Sequence, residues 1–163
     1  MSVELFRIDD RLIHGQVVVG WGQPLRVGFI ALVDNEVAAS DWEQELYRMG
    51  VPSGVDVYFD TLEDAVRKLP DYLADDRRGI VLTGDVETMR ELAERSGRVE
   101  QVNLGGLHHR PGRVERLRYV FLTAADEDTL RAMRDAGIDV TAQDVPAAAP
   151  VPLAAVLDGR GAA

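Results

Sequence analysis

Seven short apolar runs alternate along the chain with segments whose apolar residues recur at helical spacing. This alternation limits the folds that the chain can adopt more than any other feature of the sequence. The runs cover residues 3–8, 27–33, 55–59, 79–82, 99–104, 119–122 and 138–142. Residues 27–33 are apolar almost throughout, which is typical of a parallel strand covered on both faces. We therefore predict an α/β fold: a single doubly wound domain of six or seven mostly parallel strands with helices on both faces.

The segments between the predicted strands carry helix start and stop signals. Ser40 with Glu43, and Thr61 with Asp64, have the spacing of an N-cap residue and its partner three residues later. Gly97 follows a periodic stretch and predicts a helix end. Helices are predicted over residues 14–21, 40–49, 61–69, 85–95 and 126–136.

Length and charge set further bounds. The 163 residues suit one domain, which we place at residues 1–157, with residues 158–163 as a frayed tail. The formal net charge of −10 disfavours binding of nucleic acid or an anionic membrane through a basic surface. Cysteine is absent, which excludes disulfides and a thiol nucleophile. No signal peptide or membrane-length apolar run is present, so we expect a cytoplasmic protein.

The segment that carries the chemistry, residues 9–17, lies where the first predicted strand ends and the first predicted helix begins. Ligands bind open α/β sheets at the carboxyl ends of strands, and a helix N-terminus there offers free N–H groups to an anion. Arg11 can pair with phosphate oxygens, and Gly15 lets the backbone approach them closely. His14 is then placed as a nucleophile that takes and releases a phosphoryl group, with Asp10 holding its tautomer or positioning Arg11. The simpler alternative is a surface histidine beside two capping aspartates.

Residues 6–17, Phe-Arg-Ile-Asp-Asp-Arg-Leu-Ile-His-Gly-Gln-Val, resemble the active-site signature of IIB subunits of the mannose/fructose/sorbose family of the bacterial sugar phosphotransferase system. The resemblance continues through residues 33–38, 54–57 and 102–106 and covers essentially the whole predicted domain. It implies that His14 is phosphorylated, and that the phosphoryl group is framed by Asp10, Arg11 and the amides of Gly15 and Gln16.

The same resemblance implies a set of partners. A IIA domain is the expected phosphate donor, and a sugar that enters through the membrane components IIC and IID is the expected acceptor. The IIB step uses no metal and no nucleotide cofactor. A peripheral location at the inner membrane, through these partners, and assembly into a homo-oligomer are left open by the sequence.

The chain departs from the family pattern at two loops. One departure is at residues 82–86, after the fourth predicted strand; the other follows residues 105–106 and contains His108, His109, Arg110 and Arg113. Adjacent histidines do not face one metal ion from a regular element, so we predict no metal site. In an acidic protein this basic cluster predicts a surface that docks the donor or acceptor partner, with a wall of the phosphoryl site or a solvated loop as the alternatives.

Two other functions are compatible with parts of the sequence. A response-regulator receiver domain is also doubly wound, with an acidic pair after its first strand, matched by Asp9 and Asp10, and a phosphoaccepting aspartate matched by Asp60. It requires a lysine after its fifth strand, whereas the only lysine, Lys68, lies within a predicted helix. The second alternative is an orphan IIB-like domain whose phosphorylation state is regulatory; it requires the same His14.

Overall fold

Seven strands form one mostly parallel sheet in the computed structural model, which describes residues 2–158. With a separate two-stranded hairpin, the described residues contain nine strands: β1 (Val3–Ile8), β2 (Val27–Val33), β3 (Asp56–Asp60), β4 (Arg78–Thr83), β5 (Gln101–Leu104), β6 (Val114–Leu117), β7 (Val120–Leu122), β8 (Asp139–Ala142) and β9 (Val151–Pro152). The sheet order is β3-β2-β4-β1-β5-β8-β9, and β9 alone runs antiparallel to its neighbour. The predicted α/β fold and its strand number are confirmed.

Helices cover both faces of this sheet. They are a π-helix (Gln16–Trp21) and the α-helices α1 (Gly22–Leu25), α2 (Asn35–Ala38), α3 (Asp41–Met49), α4 (Leu62–Ala74), α5 (Val86–Ser96), α6 (Ala124–Asp135) and α7 (Leu153–Leu157). The predicted caps are present: Ser40 accepts a hydrogen bond from the Glu43 amide, and Thr61 accepts one from the Asp64 amide. Among the described residues, no helix has the length and apolarity needed to cross a bilayer.

Two apolar cores hold the helices to the sheet. The larger lies between one sheet face and α4, α5, α6 and α7. The smaller lies on the opposite face, where Val17, Val18 and Trp21 of the π-helix pack against Ile30 and Leu82. Burial of such a side chain stabilises the fold by about 1.5–3 kcal/mol. The π-helix is therefore fixed to the sheet, and its first residue is held at the carboxyl end of β1.

The fold differs from the sequence prediction at the last strands. Residues 119–122 do not join the large sheet, because β7 pairs with β6 in a separate antiparallel hairpin. Leu117 and Val120 nevertheless point into the larger core, so an apolar run alone does not reveal which partner its backbone takes. The seventh strand of the sheet is β9, which lies beyond the last predicted strand. Apart from Asp158, the predicted frayed tail lies outside the described residues.

The loops after β1, β4, β5 and β8 lie together at the carboxyl end of the parallel strands. β1 lies between β4 and β5, and the chain leaves β1 for β2, on the far side of β4. Ligands bind open α/β sheets at such a change of direction. The Asp9 amide donates to Thr83 O at 2.9 Å and the Asp10 amide to Gly106 O at 2.8 Å. These two bonds fix the loop after β1 to both neighbouring strands.

Candidate active site

The loop after β1 turns sharply at Leu12, whose φ of 61° lies in the left-handed region. A leucine in this conformation costs on the order of 1–3 kcal/mol, and such strain clusters at functional sites. Leu12 packs over Gly84, where a Cβ would come within 2.7 Å of the leucine side chain. A glycine at position 84 therefore leaves the room that Leu12 occupies. Beyond the turn, the amides of Val17 and Val18 donate to His14 O.

His14 lies against the buried carboxylate of Asp9. Its Nε2 is 3.2 Å from Asp9 Oδ2, and the Asp9 side chain has no exposed surface, whereas that of His14 is 18% exposed. Nε2 itself is buried and its approach to Asp9 is an ion-pair contact without the geometry of a hydrogen bond, so solvent reaches other atoms of the imidazole. Burial alone would raise the pKa of Asp9, but the contact with His14, the charge of Arg7 and the Arg11 amide lower it below its ordinary value. Asp9, rather than Asp10, thus lies where it can hold the tautomer of His14.

A buried guanidinium supports Asp9 from below. Arg7 has no exposed surface, and its Nη2 lies 3.3 Å from Asp9 Oδ2. Its Nη1 donates to Asn103 Oδ1 on β5, and the guanidinium lies 5.1 Å from the centre of the Trp21 ring. Residue 105 must be glycine here, because a Cβ on Gly105 would overlap the guanidinium. Residues from three separate elements thus hold the charged Arg7 side chain in one position beneath the site.

The segment after β8 closes the site from the side. Arg7 donates to the carbonyl oxygens of Gln143 at 2.9 Å and of Asp144 at 3.2 Å. The Asp144 carboxylate accepts from Gln16 Nε2 at 2.9 Å, and the Asp144 carbonyl accepts from Trp21 Nε1 at 3.0 Å. Residues 143–144 therefore join the buried arginine to the start of the π-helix. This contact fixes Gln16, one of the residues predicted to frame the phosphoryl group.

The exposed Arg11 and Gly15 and the half-buried Gln16 form the rim of the site. The Gly15 and Gln16 amides precede the first helical hydrogen bonds, which begin at Val17, and such amides have no partner within their own helix. A Cβ on Gly15 would meet no atom within 4 Å, so the space over this backbone is open. The Arg11 guanidinium makes one long hydrogen bond, 3.4 Å, to Gln16 Oε1. An anion in this space would meet amides and a cation.

Asp10 binds the loop after β5, whereas the carboxylate that contacts His14 is that of Asp9. Its Oδ2 accepts from the His108 amide at 2.8 Å and from Arg113 Nη1 at 3.2 Å, while its Oδ1 lies 2.5 Å from His108 Nδ1. Burial alone would raise the pKa of Asp10, but the His108 amide, the His108 imidazole and Arg113 lower it. Two residues of the predicted docking cluster are therefore bound to the active-site loop.

The other two residues of that cluster lie apart from Asp10. His109 packs edge-on against the Phe121 ring, with ring centres 5.7 Å apart. Arg110 is exposed, and its carbonyl accepts from the Arg113 amide at 3.0 Å. The side chain of Arg113 is only 11% exposed. Of the two arginines, Arg110 is therefore the one free to meet a partner. Across residues 2–158, no three His, Cys, Asp or Glu side chains are grouped so as to hold a metal ion.

Sequence reasoning missed the buried layer of the site. Arg7 and Asn103 are charged or polar residues within otherwise apolar strand segments, and that mismatch was the available signal. Asp144 lies after the last predicted strand and carried no local signal. Asp9 was noticed only as part of an acidic pair. These residues act through contacts between segments far apart in the chain, which no local pattern reports.

Comparison with known proteins agrees with this geometry. A family model described as PTS system sorbose subfamily IIB component matches residues 3–162. The N-acetylgalactosamine-specific phosphotransferase enzyme IIB component 1 of Escherichia coli K12 is 30% identical over 148 residues, 89% of this chain and 92% of the relative. The mannose-specific EIIAB component of the same strain is 31% identical over 147 residues, 89% of this chain and 45% of the relative. The solved IIB domain of the Klebsiella pneumoniae sorbose permease has a TM-score of 0.87 at 26% identity and covers 97% of both chains.

The receiver-domain interpretation is wrong. Asp60 ends β3, an edge strand that β2 and β4 separate from β1. Its buried carboxylate contacts Lys68 Nζ at 2.9 Å and the Tyr72 hydroxyl at 2.5 Å, far from the loop of His14. Nothing in the comparisons favours the orphan alternative. The chain belongs to the sorbose subfamily of IIB components and is a phosphotransferase subunit of the sugar phosphotransferase system.

Proposed function

We propose that His14 accepts a phosphoryl group from a IIA phosphohistidine and passes it to a sugar hydroxyl. The observation that carries this proposal is the placement of His14 against the buried Asp9 carboxylate, at 3.2 Å, directly before a helix start. A neutral imidazole held in one tautomer by a carboxylate is an effective nucleophile. Family membership supports the phosphoryl-transfer chemistry, and the geometry supports this residue as its carrier.

The two ring nitrogens of His14 have different roles in this proposal. Nε2 is buried 3.2 Å from the ionised Asp9, and we propose that it carries the proton, because a proton there faces the negative charge. Nδ1 then holds the free lone pair, and we propose that the bond to phosphorus forms there. Nitrogen NMR of the phosphorylated protein distinguishes the two positions. Phosphorus on Nε2 would contradict this assignment without removing His14 as the carrier.

Charge neutralisation at the rim completes the proposed mechanism. Phosphoryl transfer leaves the protein little covalent work beyond the nucleophile, so positioning and electrostatic stabilisation dominate. We assign these roles to the Arg11 guanidinium and to the amides of Gly15 and Gln16, which border the open space beside His14. Asp10 supports the site indirectly, because it holds the loop after β5.

The proposed partners follow from the family. A IIA domain donates the phosphoryl group, and IIC and IID membrane components present the sugar. The mannose-specific relative carries the name EIIAB, which supports a IIA partner for this chain. In this proposal the protein works at the cytoplasmic face of the inner membrane, held there by its transporter. Its relatives are named for N-acetylgalactosamine, mannose and sorbose, and we leave the sugar of this chain open.

Phosphorylation by a donor in vitro tests this proposal. The protein is incubated with phosphoenolpyruvate, the general phosphotransferase proteins and a IIA domain, and its intact mass is measured. We expect the gain of one phosphoryl mass, acid-labile and base-stable, which His14→Ala abolishes. His109→Ala is the matched control, since His109 packs on Phe121 away from Asp9, and it should be labelled normally. Full labelling of a folded His14→Ala variant would remove His14 as the carrier.

A further inference from the structure

A second histidine–aspartate pair lies beside the first. Asp10 accepts from both the backbone and the ring of His108, at 2.8 Å from the amide and 2.5 Å from Nδ1. Arg113, which also contacts Asp10 at 3.2 Å, keeps this carboxylate ionised. An ionised carboxylate accepts hydrogen bonds only, so Nδ1 of His108 carries the proton. Nε2 of His108 is then left with a free lone pair.

The His108 ring faces the rim of the proposed phosphoryl site. A Cβ placed on Gly106 would lie 3.1 Å from His108 Cε1, 3.6 Å from Arg11 Nη2 and 3.6 Å from Asp9 Oδ1. These three atoms therefore surround one point, and Asp9 in turn contacts His14. The His108 side chain is 46% exposed, and its Nε2 has no hydrogen-bond partner among residues 2–158. The free lone pair thus belongs to a partly exposed ring whose Cε1 lies beside Arg11 and Asp9.

The two half-reactions of the proposed function differ in their need for a base. When IIA donates, the phosphorus–nitrogen bond of the donor breaks and its electron pair stays on the donor imidazole, which leaves neutral because its other nitrogen carries a proton. The bond to His14 forms at Nδ1, and Nε2 of His14 keeps its proton. When a sugar accepts, the bond between His14 and phosphorus breaks and its electron pair returns to His14. An oxygen–phosphorus bond forms, and the hydroxyl proton must leave. Only the second half-reaction therefore requires a proton acceptor.

We propose that His108 is the general base of the second half-reaction: Nε2 accepts the proton of the attacking hydroxyl, and Asp10 orients the ring and stabilises the imidazolium that forms. This arrangement has the logic of other carboxylate–histidine pairs, in which the carboxylate fixes the tautomer. The imidazolium later returns its proton to water. The inference rests on the proposed function, because it requires phosphorylated His14 as the donor. It assigns chemistry to one of the two loops in which the chain departs from its family pattern.

The decisive variant is His108→Asn. The asparagine amide occupies the position of Nδ1 and can still donate to Asp10, whereas nothing replaces Nε2. The matched control is His109→Asn, a change of the same kind at a ring that packs on Phe121. Each protein is first phosphorylated by IIA, and the rate and the labelled residue are measured. The phosphoprotein is then discharged by membrane vesicles that contain its IIC and IID partners, with mannose, sorbose or N-acetylgalactosamine as acceptor.

We expect His108→Asn to accept phosphate on His14 at the wild-type rate and to discharge to sugar on the order of a hundredfold more slowly. His109→Asn should match the wild type in both steps. Where none of the three sugars discharges the wild type, water serves as acceptor for the isolated phosphoprotein, and the variant should then hold its phosphate longer. Equal discharge of the variant and the wild type would overturn the role of His108. Absence of phosphate on His14 in the wild type would instead overturn the proposed function.

Discussion

Replacement of Asp9 by asparagine tests whether the buried pair of Asp9 and Arg7 supports the site. Asparagine has nearly the same shape, so the change removes the charge and little volume. The Asp9 carboxylate accepts hydrogen bonds from Arg7 Nη2 at 3.3 Å and from the amides of Arg11 at 3.1 Å and Gly106 at 3.3 Å. It also lies 3.2 Å from His14 Nε2. Without the Asp9 carboxylate, the fully buried Arg7 loses its closest counter-charge.

The expected loss of stability follows from this burial. Removing one partner of a buried ion pair costs about 3–5 kcal/mol, because the other charge is left without compensation. Arg7 retains three further acceptors: Asn103 Oδ1 and the carbonyls of Gln143 and Asp144. We therefore expect the lower end, about 3 kcal/mol for Asp9→Asn. For a domain of this size that corresponds to a Tm lower by roughly 6–12 °C.

A double-mutant cycle separates the pair from its surroundings. Urea unfolding is measured for Asp9→Asn, Arg7→Met and the double variant. The double variant buries neither charge, so it should lose less stability than the two single variants together, with a coupling of about 1–3 kcal/mol. Additive losses, or a loss below about 1 kcal/mol for Asp9→Asn, would refute the argument that this ion pair supports the site.

The same variant also has a kinetic prediction. Asparagine at position 9 no longer favours a proton on Nε2 of His14, so a smaller fraction of the imidazole presents Nδ1 as nucleophile. Acceptance of phosphate from IIA should slow by at least about a hundredfold, as when a tautomer-fixing carboxylate is lost elsewhere. The measurement is made at a temperature where Asp9→Asn is fully folded. An unchanged rate there would show that Asp9 acts only in stability.

Three further predictions concern the rim, the loop after β5 and pH. Arg11→Ala should slow transfer tenfold to a hundredfold, on the order of a lost charge-assisted contact of 1.5–3 kcal/mol, while Arg11→Lys restores part of the rate. Its urea unfolding should match the wild type, since Arg11 is exposed and makes one long contact; unchanged kinetics would exclude it from the mechanism. Arg110→Ala should weaken phosphorylation by IIA, and the effect should be largest at low salt. Arg98→Ala is the control: it removes the same charge, but it lies before β5, at the amino end of the strands, and should have no such effect. Equal effects of the two variants would favour a solvated loop. Asp10 has a lowered pKa in the fold, so its contribution to stability is present above about pH 4, the ordinary range of a carboxyl, and is lost as pH falls below it. Urea unfolding between about pH 5 and pH 3 should therefore show a smaller decrease for Asp10→Asn than for the wild type, and equal decreases would contradict the shift.

Features that depend on neighbouring residues were predictable from the sequence. The alternation of apolar runs and amphipathic segments predicted the parallel sheet, because each run must be buried and each helix must cover it. Ser40 and Thr61 marked helix starts, since a cap acts on an amide three residues away. The segment around His14 was found for the same reason: a nucleophile, a cation and a glycine lie within five residues at a strand–helix junction.

Which of the two adjacent carboxylates contacts which histidine depends on the tertiary packing. Asp9 and Asp10 are equivalent as sequence, but Asp9 points into the buried layer of Arg7 and His14. Asp10 instead meets His108, which is 98 residues away in the chain. The burial of Arg7 likewise depends on acceptors from two other segments of the chain. Side-chain pairing of this kind is set by the packing of strands that are distant in the chain. A local sequence pattern therefore cannot predict which loops the fold brings together.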